Sequence, residues 1–139
     1  MEEKELQLLE LDVVSPERTM VADTVDQVNA PGIEGDLGIL FGHAPLLTAL
    51  RPGPLSYQKG DEVVTVVVSG GYLEVAENRV IVLANTAEFI HEIDRERAEK
   101  AKAKAENLLS KADLTDPEFQ EAQLKLFRAT ARLEQVQED

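Results

Sequence analysis

Two patterns of hydrophobic and polar positions divide the chain. Up to about residue 88, short runs rich in valine, leucine and isoleucine alternate with turns that contain glycine, proline or asparagine, which is typical of β-strands. From residue 89 onward, apolar residues recur every three or four positions and glycine is absent, which is typical of amphipathic helices. The sequence therefore predicts an α+β chain, with a β domain over residues 1–88 and a helical domain over residues 89–139.

The runs that resemble strands follow one another with no helix-length pattern between them. They are LQLLELDVVS, MVADTVDQVNA, EVVTVVVSGG, YLEVAE and RVIVLANT, and the predicted turns are Pro31-Gly32, Pro52-Gly53, Gly60-Asp61 and Glu77-Asn78. One hairpin is expected to turn at Gly70-Gly71 and another at Asn78. Short strands joined by tight turns predict an antiparallel sandwich or a flattened barrel.

The helical domain contains two apolar seams with heptad spacing. The first comprises Ala98, Ala101, Ala105, Leu108 and Ala112, and the second comprises Phe119, Ala122, Leu126, Ala129, Leu133 and Val136. Between them, Thr115 or Asp116 can cap a helix that has Pro117 in its first turn. So short a link predicts an antiparallel two-helix hairpin. Because the first seam is mostly alanine, it buries little apolar area, and the hairpin should be only marginally stable alone.

Three large apolar residues lie outside these seams, namely Leu109, Leu124 and Phe127. Apolar side chains on a second face of a helix pair need a further surface to cover them. We therefore expect them to contact either the β domain or another chain.

Composition narrows the function. The net charge is -13, of which residues 1–88 carry -10 and residues 89–139 carry -3, so nucleic acid is not expected as a partner. The absence of cysteine excludes disulfides and thiolate zinc sites. No apolar run reaches the roughly 18–20 residues of a membrane helix, and the first residues are acidic where a signal peptide is basic. We expect a soluble cytoplasmic protein that does not insert into the membrane.

No known catalytic motif is present. The sequence has no glycine-rich phosphate loop and no paired-histidine zinc motif, and His43 and His91 have no ligand cluster around them. Carboxylate pairs such as Asp61-Glu62 fall in predicted turns, where solvation is the simpler explanation. The sequence therefore predicts no catalytic residue and no metal site.

The segment GDLGILFGHAPLLTAL, from Gly35 to Leu50, carries a family resemblance together with LDVVSPE near the start and SGGYLEV at residues 69–75. It resembles the epsilon subunit of bacterial and chloroplast F-type ATP synthase, and the order and spacing agree over essentially the whole chain. One departure is Phe41, where the family usually has a proline that would fix φ. The resemblance implies an N-terminal β sandwich of about ten strands and a C-terminal antiparallel helix hairpin.

The resemblance also implies a function. Members are non-catalytic subunits of the central stalk that join the gamma subunit to the ring of c subunits, at the cytoplasmic face of the membrane in a proton- or sodium-translocating complex. Their hairpin can extend along gamma towards the catalytic alpha and beta subunits and inhibit ATP hydrolysis. Asp36 and His43, in the loop that faces the ring or gamma, are the implied interface residues. The alternative is that Gly35, Gly38 and Gly42 supply positive φ angles and that His43 only closes a turn.

In several bacterial members the motif I/L-D-x-x-R-A forms part of an ATP site, and the segment from Ile93 to Ala98 matches it in full. The nucleotide ligands that the resemblance implies are Glu88, Asp94, Arg97, Arg128 and Arg132. ATP, alone or with Mg²⁺, would be a regulatory ligand and not a required cofactor. It would hold the compact state, because it can bridge the helices only when they lie side by side.

Seam geometry gives separate support. If the hairpin folds about residue 114, one flank contains five bases among six residues, a suitable place for a phosphate. That flank comprises Arg97, Lys104, Lys111, Glu118, Lys125 and Arg132. The alternative is that Asp94 is an ordinary N-cap and that Glu96 and Glu99 pair with Arg132 and Arg128 across the hairpin.

Two other functions stay open at this point. A β-sandwich adaptor with a coiled-coil interaction tail, without nucleotide sensing, would form a stable dimer. A free-standing nucleotide-binding module would form no complex with a gamma chain.

Overall fold

The computed structural model describes residues 7–111, 115 and 117–137. The chain divides into two compact units, Met1–Glu88 and Phe89–Asp139. The strands are β1 (Leu9–Val14), β2 (Thr19–Val25), β3 (Gln27–Gly32), β4 (Gly35–Ile39), β5 (Leu46–Lys59), β6 (Glu62–Ala76), β7 (Arg79–Ala84) and β8 (Ala87–Phe89). A short 3-10 helix (Ile90–Glu92), α1 (Arg95–Lys111) and α2 (Pro117–Gln137) follow. Strands followed by two helices confirm the predicted α+β class.

The strands form one continuous hydrogen-bonded sheet in the order β2-β1-β7-β6-β5-β3-β4, and β8 pairs with β6. Along the order from β2 to β4, the pairing is antiparallel except between β1 and β7, which run parallel. The long strands β5 and β6 pair along nearly their whole length, from Leu46 opposite Val75 to Lys59 opposite Glu62. β5 and β6 are therefore the longest strand pair of the β unit.

β5 and β6 each bend midway and serve both layers of the sandwich. In β6, Val66 and Val68 are buried before the bend, whereas Leu73 and Val75 are buried after it. Alternate residues of a strand face one side, so a change from even to odd buried positions means that the strand turns its other face to the core. β5 changes in the same way. Counted as two segments each, these strands bring the eight to the ten that the resemblance implies.

The predicted hairpin at Gly70-Gly71 is wrong, because both glycines lie within β6, at its bend. Their φ angles are 110° and 136°, which other residues rarely adopt. A Cβ at Gly71 would lie 2.1 Å from the carbonyl oxygen of Leu83 on β7. The glycine pair thus bends β6 and lets β7 approach closely. Two adjacent glycines also suit a turn, which is why the sequence predicted a hairpin here.

Other predicted turns had mixed outcomes. Gly60-Asp61 and Glu77-Asn78 do join strands, and both residues of the second turn have positive φ. Pro31-Gly32 closes β3, one step before the turn. Pro52-Gly53 is not a turn, because it lies inside β5, where a Cβ on Gly53 would be 3.2 Å from Pro31. Strands β4 and β5 were not predicted from the pattern.

The two units have different cores. The sandwich buries large aliphatic side chains from most of its strands, among them Leu9, Leu11, Ile39, Leu55, Leu73 and Val80. In the second unit α1 and α2 pack together. Of the residues described there, the buried ones are Ala98, Ala105, Ala122, Ala129, Ala131 and Leu133. The predicted seam is therefore buried at its centre, whereas Leu108 is exposed. Ala112 and Asp116 lie outside the described residues.

Candidate functional site

The motif segment Ile93–Ala98 forms the start of α1. A carboxylate oxygen of Asp94 accepts a hydrogen bond from the backbone N–H of Arg97 at 3.1 Å. The backbone carbonyl of Asp94 accepts from the N–H of Ala98 at 3.0 Å, the first bond of the helix. Asp94 is thus the N-cap of α1, as one of the two interpretations predicted.

The chain enters this cap through a locally bonded turn. The side chain of Glu92 accepts from the backbone N–H of Phe89 at 2.9 Å, and the N–H of Ile93 donates to the carbonyl of Ile90 at 3.1 Å. The rings of Phe89 and His91 stack with their centroids 5.6 Å apart. These contacts shape the chain between Phe89 and the start of α1.

Several charged residues of the hairpin are already paired. Arg95 pairs with Glu99 at 3.7 Å, and Lys100 pairs with Glu96 at 3.3 Å, both along α1. Lys125 likewise pairs along α2, with Glu121. Glu96 and Glu99 therefore pair within their own helix, and the alternative in which they pair with Arg132 and Arg128 is wrong. Such exposed pairs contribute only a fraction of a kcal/mol each, about 0.3–0.5.

The predicted ligand arginines differ from these paired cations. The guanidinium of Arg97 is exposed and forms no ion pair with any described residue. Arg128 is half-buried, and its Nε is buried without a hydrogen-bond partner in the described part of the chain. Arg132, also half-buried, lies four residues further along α2 and therefore on the same face. Glu88, the fifth predicted ligand, lies in β8 at the end of the first unit, and the other four belong to the second.

Asp36, a predicted interface residue, forms an ion pair with Arg51 on β5. Arg51 also donates to the carbonyl oxygen of Gly32, so one guanidinium holds both sides of the β3–β4 turn. Sequence reasoning missed Arg51, and the only signal for it was that it is one of five bases in a unit that carries 15 acids. Asp36 itself remains exposed.

His43, the other predicted interface residue, shapes a turn. Its backbone N–H donates to the carbonyl of Leu40 at 3.1 Å, and its ring Nδ1 lies 2.7 Å from the carbonyl oxygen of Ala44. The preceding Gly42 has a φ of 86°, and its N–H donates to the side-chain oxygen of Asn78 at 2.7 Å. Asn78, which the sequence predicted only as a turn residue, therefore anchors this loop from the β6–β7 turn.

An apolar patch lies on the outward side of three neighbouring strands. Leu47, Tyr72 and Leu83 are 70%, 60% and 56% exposed. Tyr72 and Leu83 are directly opposite each other on β6 and β7, and Leu47 on β5 pairs with Glu74, two positions from Tyr72. We call these three residues the sheet patch. Large apolar groups clustered in this way indicate an interaction surface.

On the hairpin, the three residues outside the seams are not equivalent. Leu109 is half-buried, whereas Leu124 and Phe127 are 47% and 50% exposed. The last two are three residues apart, so they adjoin on the surface of α2. They form a second, smaller apolar surface.

Asp23 on β2 and Lys59 at the end of β5 form an ion pair at 2.8 Å. The hydrogen bond from Lys59, with another from the N–H of Thr24, lowers the pKa of Asp23. The same bond raises the pKa of Lys59. Because both groups are exposed, this pair is a tie between strands and not a reactive site.

Within residues 7–111, 115 and 117–137, no group of three histidine, cysteine, aspartate or glutamate side chains is arranged to hold a metal ion. No helix there is both long and apolar enough to cross a membrane.

Comparison with known proteins agrees with the two units. Residues 8–90 match the β-sandwich domain of the ATP synthase delta/epsilon chain, and residues 91–137 match its long α-helix domain. The chain belongs to the family of ATP synthase epsilon chains. The epsilon chain of Anaeromyxobacter sp. (strain K) is 46% identical over 90% of this chain and 95% of its own length. That of Herpetosiphon aurantiacus is 44% identical over 91% and 92%.

Solved structures show the same fold. A chain of the Euglena gracilis mitochondrial ATP synthase, OSCP/F1/c-ring, superposes with a TM-score of 0.80 and 23% identity, covering 90% of this chain and 79% of the other. A chain from the central stalk/c-ring of the Tetrahymena thermophila mitochondrial enzyme gives 0.64 and 18%, covering 92% and 96%. At these identities the likeness shows the fold alone.

Proposed function

We propose that this epsilon chain is a non-catalytic subunit of the central stalk, which joins gamma to the ring of c subunits at the cytoplasmic face of the membrane. The observation that carries this proposal is the match of both domains to epsilon chains across nearly their full length. Two anchored loops give supporting surfaces, namely the β3–β4 turn held by Arg51 and the Leu40–Pro45 loop held by Asn78. We assign these loops to contacts with the ring or gamma.

The sheet patch supports a contact with gamma, because a cluster of exposed apolar groups is stabilised when a partner covers it. The test is capture of purified gamma subunit by the full chain. We expect Tyr72→Glu to abolish capture, since it places a charge at the centre of the patch. Val63→Glu is the matched control, because Val63 is equally exposed on β6 but lies far from the patch. If both variants capture gamma normally, gamma does not bind the sheet patch.

The hairpin supports a regulatory role. Its buried residues are mainly alanine, so little apolar area holds the two helices together and their separation is cheap. We propose that the released hairpin extends towards the alpha and beta subunits and inhibits ATP hydrolysis. Loosening the seam with Ala129→Gly should then increase inhibition of the reconstituted catalytic complex. Unchanged hydrolysis with a demonstrably loosened hairpin would contradict this role.

We further propose that ATP, alone or with Mg²⁺, stabilises the compact hairpin, with its phosphates bound by Arg97, Arg128 and Arg132. The support is that the Arg97 guanidinium and the Arg128 Nε lack partners in the described chain, whereas Arg95 is paired. An anion near the start of α1 is also favoured by the helix dipole. Glu88 remains a proposed ligand through the resemblance alone.

Calorimetric titration with Mg-ATP tests this site. We expect wild type to bind and Arg97→Ala to bind at least about tenfold more weakly, since charge-assisted hydrogen bonds are lost. Arg95→Ala is the control, because its charge lies two residues away and is paired with Glu99. No heat from wild type, or equal losses in both variants, would contradict the sensing role.

A second candidate follows from the exposed Leu124 and Phe127. They could mediate self-association, as the adaptor with a coiled-coil tail requires. Sedimentation distinguishes the two: the central-stalk proposal expects a monomer, and the adaptor expects a stable dimer that Phe127→Glu dissociates.

A further inference from the structure

We infer that the proposed contact with gamma continues from the sheet patch onto the β3–β4 turn, Ile33-Glu34, and that Arg51 positions this turn for it. The inference rests on the proposed gamma contact. The resemblance implies that Asp36 is itself an interface residue, whereas we assign the contact to the two turn residues and a positioning role to the Arg51–Asp36 pair. The segment of gamma that this surface fits carries an apolar side chain beside a lysine or arginine.

The turn lies next to the sheet patch. The backbone N–H of Ile33 donates to the carbonyl of Ala49 on β5 at 2.9 Å. Ala49 is directly opposite Tyr72 on β6, and Tyr72 is directly opposite Leu83 on β7. Leu47, the third member of the patch, lies two positions from Ala49 and therefore on the same face of β5. Because Ile33 is 57% exposed, the exposed apolar surface extends to the turn.

The turn carries one carboxylate whose charge is not neutralised. Asp36 is paired with Arg51, so their charges cancel. Glu34 is exposed and forms no ion pair in the described part of the chain. A partner that covers the turn takes Glu34 out of water, and burial of a carboxylate is strongly unfavourable without a cation beside it. A lysine or arginine of gamma is therefore the complement of Glu34.

Arg51 holds both sides of the turn. Its guanidinium donates to the carbonyl oxygen of Gly32, the last residue of β3, and to the carboxylate of Asp36 on β4. The two strands approach closely here, because a Cβ at Gly32 would lie 2.6 Å from the carbonyl oxygen of Gly35. The turn is thus ordered before a partner arrives, and less ordering has to be subtracted from the binding free energy.

The affinity of the full chain for purified gamma subunit tests the contact. We expect Glu34→Gln to bind at least about tenfold more weakly, because a charge-assisted hydrogen bond is lost. Asp61→Asn is the control, since it removes the same charge from the β5–β6 turn, which lies beyond the opposite end of β3. Ile33→Ala should bind about fivefold more weakly through lost apolar contact, whereas Val63→Ala, at a similarly exposed position remote from the turn, should bind normally.

A charge swap separates positioning from contact. Arg51→Asp removes both bonds and sets two carboxylates together, so it should weaken gamma binding by about tenfold and speed hydrogen exchange at the Ile33 amide. Adding Asp36→Arg remakes the ion pair in reverse, and it should restore slow exchange and bring the affinity to within about threefold of wild type. Recovery stops short of wild type because the bond to Gly32 is not remade. A residue that contacts gamma directly could not exchange its charge in this way.

Each of three results would overturn the inference by itself. If Glu34→Gln and Ile33→Ala bind gamma like wild type while Tyr72→Glu does not, the contact ends at the sheet patch and the proposed gamma contact survives. If the swapped variant has slow exchange but stays as weak as Arg51→Asp, Asp36 itself contacts gamma. If Glu34→Gln loses affinity for the purified ring of c subunits and not for gamma, the turn belongs to the ring. No binding by wild type would contradict the proposed gamma contact, and this inference with it.

Discussion

The β sandwich and the helix hairpin of this chain differ in the side chains that stabilise each unit internally. The sandwich buries leucine, isoleucine and valine from most of its strands, and its register is pinned by the long β5–β6 pair. Among its described residues, the hairpin buries five alanines and one leucine. Since stabilisation scales with the apolar area buried, the hairpin gains far less per residue. A stable sandwich joined to a weakly packed helix pair is the arrangement that the proposed regulatory role requires.

The largest predicted effect is unfolding of the β sandwich. Gly71→Val should prevent stable folding of the sandwich, at a cost of more than about 4 kcal/mol, because its side chain would overlap the backbone of β7 and its φ is positive. Chemical denaturation measures this. Gly38→Ala is the control, since its Cβ would lie 3.6 Å from the nearest atom, and it should be close to neutral. A well-folded Gly71→Val chain would contradict the bent-strand description.

The next effect sharpens the contrast between the cores. Leu73→Ala should lower the free energy of unfolding of the sandwich by about 3 kcal/mol, because Leu73 is fully buried between packed strands. Leu133→Ala should leave the sandwich transition unchanged and reduce the helical signal. Tyrosine fluorescence reports the sandwich, because both tyrosines, Tyr57 and Tyr72, lie in its strands, and circular dichroism at the helix band reports the hairpin. Equal loss of both signals in either variant would mean that the units unfold as one.

The fold was partly predictable because much of its sequence pattern is local. The alternating runs, the turn at Asn78 and both helices follow from neighbouring residues. The bends in β5 and β6 do not, because Gly70-Gly71 and Pro52-Gly53 fit a turn as well as a kink, and only the partner strand decides between them. Asn78 reaches Gly42 across 36 residues of sequence, a bond that no local pattern could predict.

For the candidate site, the motif could be found in the sequence, but the hydrogen bonds and ion pairs of its residues could not. The sequence allows Asp94 to be a nucleotide ligand or an N-cap; the hydrogen bond from the Arg97 amide shows that it is the N-cap, and its role as a ligand stays a prediction. Glu96 and Glu99 could pair along or across the hairpin, and only side-chain placement shows that they pair along α1.

A smaller effect concerns the seam. Ala105→Gly should destabilise the hairpin by about 1 kcal/mol through lost helix propensity, and by more through lost packing, because Ala105 is buried against α2. Ala103→Gly carries the same propensity cost on an exposed position. The difference between the two, measured by helical melting, reports the packing of the seam. If the two variants melt alike, the seam contributes no packing.

The smallest effect is electrostatic. The folded state lowers the pKa of Asp23, so its contribution is present above the ordinary value of 3.8 and is lost as the pH falls through the lowered one. The folded state raises the pKa of Lys59, so the stability that Lys59 contributes is fully present below its ordinary value of 10.5. It is lost as the pH rises through the raised pKa. Lys59→Met should therefore melt at a slightly lower temperature than wild type at pH 7, and the two should converge as the pH falls through the lowered pKa of Asp23. A constant difference at every pH would exclude this pair as the cause.

If the proposed ATP site exists, nucleotide stabilises the helix hairpin and leaves the β sandwich unchanged. Hydrogen exchange of the full chain with and without Mg-ATP measures both units in one experiment. We predict slower exchange across α1 and α2 on adding Mg-ATP, unchanged exchange in β5 and β6, and no response in Arg97→Ala. Unchanged exchange in the helices at a saturating nucleotide concentration, or equal slowing in both units, would contradict the account.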